Sequence, residues 1–293
     1  MNSLLESSLA SIRAYAPSRK WRLPLLAFGA ILFVGGGIYS LSRLDIGFAD
    51  IEFGPFAALL FLMGPLSLVY GAVSMMLTAR AAGVPMPFGK SFRVSCIAQT
   101  AEILPLPGGA MVRGAALVNE GATVARSTGI VLANALLWIS CAAFAAGLSI
   151  PSNGPIGWLF AAGGFVMATL SVSWLTYVSG PRIAFLSLAL RFAGLGLMAV
   201  RMFFAFAVLS LPVAFVESFV FSFAIIAGSA SSIAPGGLGI SESIAALMAT
   251  TTQTLPAAAF VAVALNRIVA LFLNASVTYA LLFSFQGRDA QNV

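Results

Sequence analysis

Histidine is absent from the 293 residues, cysteine occurs twice, and Asp, Glu, Lys and Arg together supply only 8% of the chain. Each shortage excludes something. Without histidine there is no ordinary neutral-pH general base, and the commonest metal ligand is missing. Cys96 and Cys141 sit in separate apolar stretches without CxxC spacing, so neither a disulfide framework nor a zinc site is indicated, and both read as small packing residues. A soluble domain carries roughly 25% charged residues. A chain so short of charge cannot coat a globule with polar surface, and a soluble all-helical protein is set aside.

What the sequence has instead is apolar length. Hydrophobic residues make up 60%, and the mean hydropathy is +1.02. At about 20 residues per helical span, the expected fold is an all-α polytopic membrane protein forming one integral membrane domain, 1–293. About six full spans and two interrupted segments are expected within it. The net charge of +6 then reports Lys and Arg in cytoplasmic loops, not nucleic-acid binding.

Span lengths and basic bias set the topology. A basic tail, 1–22, with Arg13, Arg19, Lys20 and Arg22, places the N-terminus in the cytoplasm. The apolar run 23–42 that follows is too long for a signal peptide and lacks a small-residue cleavage site, so it reads as an uncleaved first span. The link 43–52 holds three acids and one arginine and is expected outside. Further spans are expected at 53–79, 127–148, 157–179, 202–216 and 256–284, with 183–200 lying along the inner surface or forming half of a bent helix. Trp21, Trp158 and Trp174 suit interfacial anchoring. Apart from Arg43, Arg113 and Arg267, every basic residue then falls on the cytoplasmic side. That holds only if 91–120 enters and leaves from inside and 218–250 enters and leaves from outside, making two oppositely oriented re-entrant hairpins.

Both hairpins carry a Pro-Gly break. PGGAMVRGAALV (107–118) resembles PGGLGISESIAALM (235–248) at a spacing of 235 − 107 = 128 residues, and each is followed by a long span containing asparagine, Asn134 or Asn266. Interrupted segments at matching places in two halves point to a substrate site in an inverted-repeat transporter. Proline lacks an amide hydrogen and glycine tolerates positive φ, so Pro107-Gly108-Gly109 and Pro235-Gly236-Gly237, with Gly239, end one helix and start another. Broken backbone at membrane depth is tolerated only inside protein or beside a water-filled cavity. The half-helices that follow offer N-terminal amides to an anion such as a lipid phosphate.

The ionisable residues in these segments fit that chemistry. Glu102 and Arg113 flank the first break, Glu242 follows the second, and Arg267 lies in the body of the last span. A charge at the bilayer centre costs about 2.5–3.5 kcal/mol on insertion scales, so such residues face a cavity and a partner. Arg113 and Arg267 can fork a phosphate. Glu102 and Glu242 can pair with them, meet a cationic head group or carry a proton; ion pairs that only lock helices are the plainer alternative. Asn134 and Asn266 can bond across helices or line the site. Glu120 and Glu217 are expected at solvated interfaces, and the Phe-rich run 203–223 facing lipid or packing. Gly35, Gly36 and Gly37, with the small residues at 161–164, are expected at close helix contacts.

LPLPGGAMVRG (104–114), SSIAPGGLGISES (231–243) and the late Asn266-Arg267 resemble the lysylphosphatidylglycerol synthase transmembrane-region family over roughly 20–285. That family includes the flippase part of the MprF proteins and stand-alone YbhN-type relatives. The resemblance implies a bacterial inner-membrane protein with re-entrant helices that moves phospholipids or related anionic lipids. Family members often carry an acid between the first-motif glycines and the arginine, where this chain has Ala110 and Met111. No aminoacyl-transfer domain is recognised, so lipid synthesis is not expected.

The resulting expectation is a lipid flippase without cofactor or metal, not an enzyme, whose partner is a membrane lipid and not a nucleic acid. A homo-oligomer or a lipid-synthesis enzyme is a further possible partner. No nucleotide-binding motif occurs, so movement would be passive or ion-coupled. An intramembrane lipid-modifying enzyme and a scaffold for a lipid or glycan synthesis enzyme are the competing classes.

Overall fold

A computed structural model describes residues 19–44, 50–102, 108–150, 154–211, 213–231 and 235–289. Ten α-helices dominate, with no strand among the described residues: α1 (Arg19–Arg43), α2 (Phe53–Ala81), α3 (Phe88–Ala101), α4 (Gly108–Asn119), α5 (Val124–Ser149), α6 (Pro155–Ser179), α7 (Pro181–Val208), α8 (Ser218–Ala230), α9 (Ile240–Met248) and α10 (Pro256–Asp289). Five, namely α2, α5, α6, α7 and α10, are long and apolar enough to cross a membrane. Their outer faces carry bare Phe61, Leu159, Phe185 and Phe272, as expected where the solvent is lipid. The molecule is a multi-pass helical bundle of membrane type.

Both sequence-predicted breaks interrupt a helix. At 14, 12, 13 and 9 residues, α3, α4, α8 and α9 reach only about 14–21 Å at 1.5 Å per residue, short of a 30 Å hydrocarbon core. They form two pairs, α3 against α4 and α8 against α9. Each pair also lies on a distant helix. Thr100 of α3 meets Thr278 of α10 with hydroxyl oxygens 2.9 Å apart, while α8 packs along α5 through Val220 with Ala146 and Ile226 with Ala142.

The helix ends gather at two poles. At one, the Arg126 guanidinium donates to the carbonyls of Ala81 and Val178 at 3.3 and 3.4 Å, and the Ser179 hydroxyl donates to Ala81 at 3.0 Å. A cation on the last carbonyls of α2 and α6 complements both helix dipoles. Lys90 and Glu120 join the two ends of the first pair near this pole, so Glu120 is an ion-paired residue and not merely a solvated one. At the other pole the Glu52 amide donates to the Val208 carbonyl at 2.9 Å. The second pair ends there: Phe215 meets Phe203, and Ala249 shares an apolar cluster with Leu44, Leu209 and Ala258. Glu217 turns back to accept from the Ala214 amide at 3.3 Å.

The 181–217 region departs from the sequence reading. No surface helix over 183–200 followed by a span over 202–216 forms; α7 is one helix from Pro181 to Val208, and the chain is non-helical at 213–214. Arg191 and Arg201 therefore lie in the body of a spanning-length helix, not at a cytoplasmic boundary. Neutral hydrogen-bonding partners, described below, make that burial tolerable.

Small residues set the tightest contact. The backbone of Ala161 on α6 touches Gly147 of α5, and Gly164 touches the Ser140 carbonyl and Phe144 backbone, the packing that lets helices associate without a hydrophobic drive. Of the glycines at 35–37 only Gly36 makes a close contact, with the Phe260 ring; Gly35 and Gly37 face open space. In the Phe-rich run, Phe206 and Phe221 are fully buried with centroids 4.9 Å apart, whereas Phe203 and Phe215 are exposed. Residues 58–63 of α2 are π-helical, which relieves the missing amide and ring clash of Pro65 and presents Gly64 and Ser67 inwards.

Candidate functional site

The second break is built by glycine. Gly236, Gly237 and Gly239 have φ of 57°, 72° and 77°, left-handed values that side chains resist. Space adds a second demand: a side chain on Gly237 would strike the Gly228 carbonyl, and one on Gly239 the Gly29 carbonyl of α1. Pro235 opens this turn, and α9 starts at Ile240.

The first turn of α9 delivers Ser241 and Glu242 into the bundle, both with no exposed surface. Arg267 of α10 meets them there. Its Nη1 lies 3.4 Å from Glu242 Oε1, and its Nη2 donates to Ser241 Oγ at 2.5 Å. Ser241 passes its own proton to the Ile225 carbonyl of α8 at 3.3 Å. Besides Arg267, the backbone amides of Gly239 and Glu242 at the start of α9 favour the Glu242 carboxylate, which has no side-chain hydrogen bond. The carboxylate occupies the electropositive start of α9, the position that the sequence reading reserved for a ligand phosphate.

One residue earlier, Asn266 reaches the opposite way. Its side-chain oxygen accepts from Arg201 Nε at 3.1 Å and its carbonyl from Arg201 Nη2 at 3.4 Å, while Arg201 Nη1 donates to Ser67 Oγ of α2 at 3.0 Å. Arg201 is 6% exposed, and no carboxylate pairs with it among the described residues. Asn134 behaves alike: its oxygen accepts from Arg191 at 3.1 Å, and Arg191 also reaches the Tyr70 hydroxyl at 3.3 Å and stands over the Trp138 ring. Both asparagines named from sequence thus bond across helices to an arginine of α7.

At the first break Glu102, just past α3, accepts from Arg113 of α4 at 3.0 Å, with 43% and 31% of the two side chains exposed. Gly108 and Gly109, the first residues of α4, are buried against the backbone of Ala101 and Ala98 and let the two helices touch. Pro107 lies outside the described residues.

A common chamber lined by Arg113 and Arg267 was expected. A small cavity of about 20 Å³ is lined by Ser67, Gln99, Arg201, Leu273 and Asn274, among others, and neither Arg113 nor Arg267 borders it. That volume holds about one water-sized occupant. Among the described residues no group of three or more His, Cys, Asp or Glu comes together as a metal would need.

Fold and site together define a multi-pass helical bundle of membrane type with two interrupted helix pairs and a buried polar network joining α2, α7, α9 and α10. No protein-family model and no curated protein matches the chain.

Sequence reasoning named Glu242, Arg267, Glu102, Arg113 and Asn266 but missed Arg201, Ser67, Gln99 and Ser241. A signal for Arg201 existed: 183–208 contains no proline and no turn cluster, so an arginine within it belongs inside a helix. Ser67, Gln99 and Ser241 carry no such mark.

Proposed function

We propose that the chain transports an anionic polar lipid, a phospholipid or a close relative, across a bacterial inner membrane. The head group passes through the bundle centre while the acyl chains stay in the bilayer. The observation that carries this reading is the sealed Glu242–Arg267 pair at the start of α9, joined through Asn266 to a second buried cation, Arg201. Purely structural packing would fill that centre more cheaply with apolar side chains, because desolvating two charges costs several kcal/mol per ion.

In the same reading the chain is an inverted repeat, which the order and spacing of its helices support. Taken in order, α1, α2, the first pair and α5 correspond to α6, α7, the second pair and α10. Their starts are offset by 136 (155 − 19), 128 (181 − 53), 130 (218 − 88), 132 (240 − 108) and 132 (256 − 124) residues. Each unit holds three long helices and one pair. With α1 crossing besides the five helices of spanning length, each unit crosses three times, an odd number, so in this reading the second unit is inserted upside down and its pair enters from the opposite face. Each pair rests on the last helix of the other unit, α3 on α10 and α8 on α5, as a two-fold axis in the membrane plane requires. The pole with Arg80, Lys90, Arg93, Arg126 and Arg182 is the cytoplasmic one by the positive-inside rule. The resemblance of 104–114 and 231–243 to the lysylphosphatidylglycerol synthase transmembrane-region family points to the same substrate class.

In this reading Glu242 holds Arg267 until a phosphate arrives, and the phosphate exchanges for the carboxylate on the guanidinium fork. Arg113, paired with the more exposed Glu102, makes the equivalent exchange at the first break. The test is reconstitution of the full chain in vesicles bearing a head-group-labelled anionic lipid. Wild type accelerates loss of inner-leaflet protection from a membrane-impermeant quencher, and Arg267→Ala slows it. A wild-type rate equal to that of empty vesicles overturns the reading, and a chemically altered lipid by mass spectrometry replaces it with an enzyme.

A further inference from the structure

The transport reading gives Arg201 no contact with the lipid. Arg267 has Glu242 and Arg113 has Glu102, and the half-buried Arg191, which like Arg201 bonds only neutral groups, stands over the Trp138 ring. Arg201 has no acid among the described residues, although it is nearly sealed from solvent at 6% exposure. Its three hydrogen bonds go to neutral acceptors, the Asn266 side chain, the Asn266 carbonyl and the Ser67 hydroxyl. A guanidinium has five N–H donors and stays protonated in proteins, so donors and a full positive charge remain uncompensated. Burying a lone ion costs several kcal/mol even after relaxation.

The cavity lies directly against this charge. Besides Arg201 and Ser67 it is bordered by Gln99 of α3 and Asn274 of α10, two carboxamides. The Ser67 hydroxyl donates to the Met63 carbonyl and Gln99 donates to the Ser95 hydroxyl, so the donors left for a guest are the spare guanidinium hydrogens and the remaining carboxamide hydrogens, and no lining group brings a competing negative charge. Gln99 of α3 and Asn274 of α10 are only half-buried, whereas Arg201 is nearly sealed. The floor is apolar, from Ala270 and Leu273.

We propose that this cleft is an anion-binding site separate from the Glu242–Arg267 and Glu102–Arg113 pairs. It takes one small anionic group, either a halide-sized free ion or a single oxygen of a lipid phosphate. A volume of about 20 Å³ admits one such group and excludes a large organic anion unless the helices part. Because α2, α3, α7 and α10 all contribute, an occupant ties the first helix pair to the second unit of the fold. This site is independent of whether the chain moves lipid, and its occupancy can be measured without a transport assay.

The experiment uses the purified full chain in an uncharged detergent with ionic strength held by gluconate, too large for the cleft. In one arm chloride or bromide replaces gluconate; in the other a short-chain phosphatidylglycerol is added. The thermal unfolding midpoint of wild type rises saturably in at least one arm: a halide response identifies a free ion, and a response to the lipid alone identifies a head-group oxygen. Arg201→Gln weakens the apparent affinity at least tenfold. Gln99→Leu guards against misfolding of that variant, since it leaves Arg201 and its three bonds intact while filling the cleft, and it abolishes the response as well. The proposal is overturned when neither halide nor anionic lipid shifts the wild-type midpoint, or when both variants respond as wild type does. Failure of lipid movement in vesicles with this response intact would sink the transport reading alone.

Discussion

Removing the Arg267 side chain tests the buried pair most sharply. Glu242 has no exposed surface, and the Arg267 guanidinium beside it is 3.4 Å away. Arg267→Ala strands a carboxylate in the bundle centre and deletes the donor to Ser241. Breaking one side of a buried pair costs about 3–5 kcal/mol, and at 1.4 kcal/mol per decade that is roughly a hundred- to several-thousand-fold in the folding equilibrium. Glu242→Leu combined with Arg267→Met removes both charges together. Replacing a buried pair by apolar groups is often neutral, so the double variant regains most of the lost stability while losing lipid movement. Denaturant unfolding of the detergent-purified proteins, read as a double-mutant cycle, measures this directly. A single-variant loss under about 1 kcal/mol, or a double variant no more stable than Arg267→Ala, would refute the burial argument. A stable double variant that still moves lipid would reduce the pair to a helix lock.

Three further outcomes follow from packing and caps. Gly147→Leu forces a side chain into the Ala161 backbone and lowers stability by about 1–3 kcal/mol or more, whereas Gly163→Leu, with open space at its Cβ, is near neutral; thermal unfolding of both distinguishes them. Gly237→Ala meets both a left-handed backbone and the Gly228 carbonyl, so it reduces the yield of monodisperse protein in size-exclusion chromatography, and Gly35→Ala does not. Arg126→Ala removes a cation from the last carbonyls of α2 and α6 and costs about 0.3–1 kcal/mol, read as a small fall in unfolding midpoint at low salt that shrinks as salt is added.

Much of the architecture was legible because lipid makes hydropathy informative. The long helices appear where apolar runs of spanning length lie, and the two Pro-Gly breaks interrupt helices because glycine and proline act locally, without help from tertiary context. Glu242–Arg267 and Glu102–Arg113 were legible as pairs, since a charge in an apolar run needs a partner. The failure at 181–217 has a clear cause. Treating each arginine as a loop marker divided α7 at Arg201, but an arginine held by Asn266 and Ser67 can stay inside a helix. Those partners lie 65 and 134 residues away in sequence, and nothing local announces them. The occupant of the α9 start was misread for a related reason. Glu242 was weighed as a neighbour of a phosphate, yet its carboxylate itself fills the electropositive position in the first turn.

The central claim is that the two interrupted helix pairs enter the membrane from opposite faces. In a variant lacking Cys96 and Cys141, single cysteines at exposed positions, Ala125→Cys just after the first pair and Gln253→Cys just after the second, can be probed in intact cells with a membrane-impermeant maleimide. The account predicts that the cysteine at 253 reacts from outside and the one at 125 reacts only after the membrane is opened. Labelling of both from the same side would contradict it.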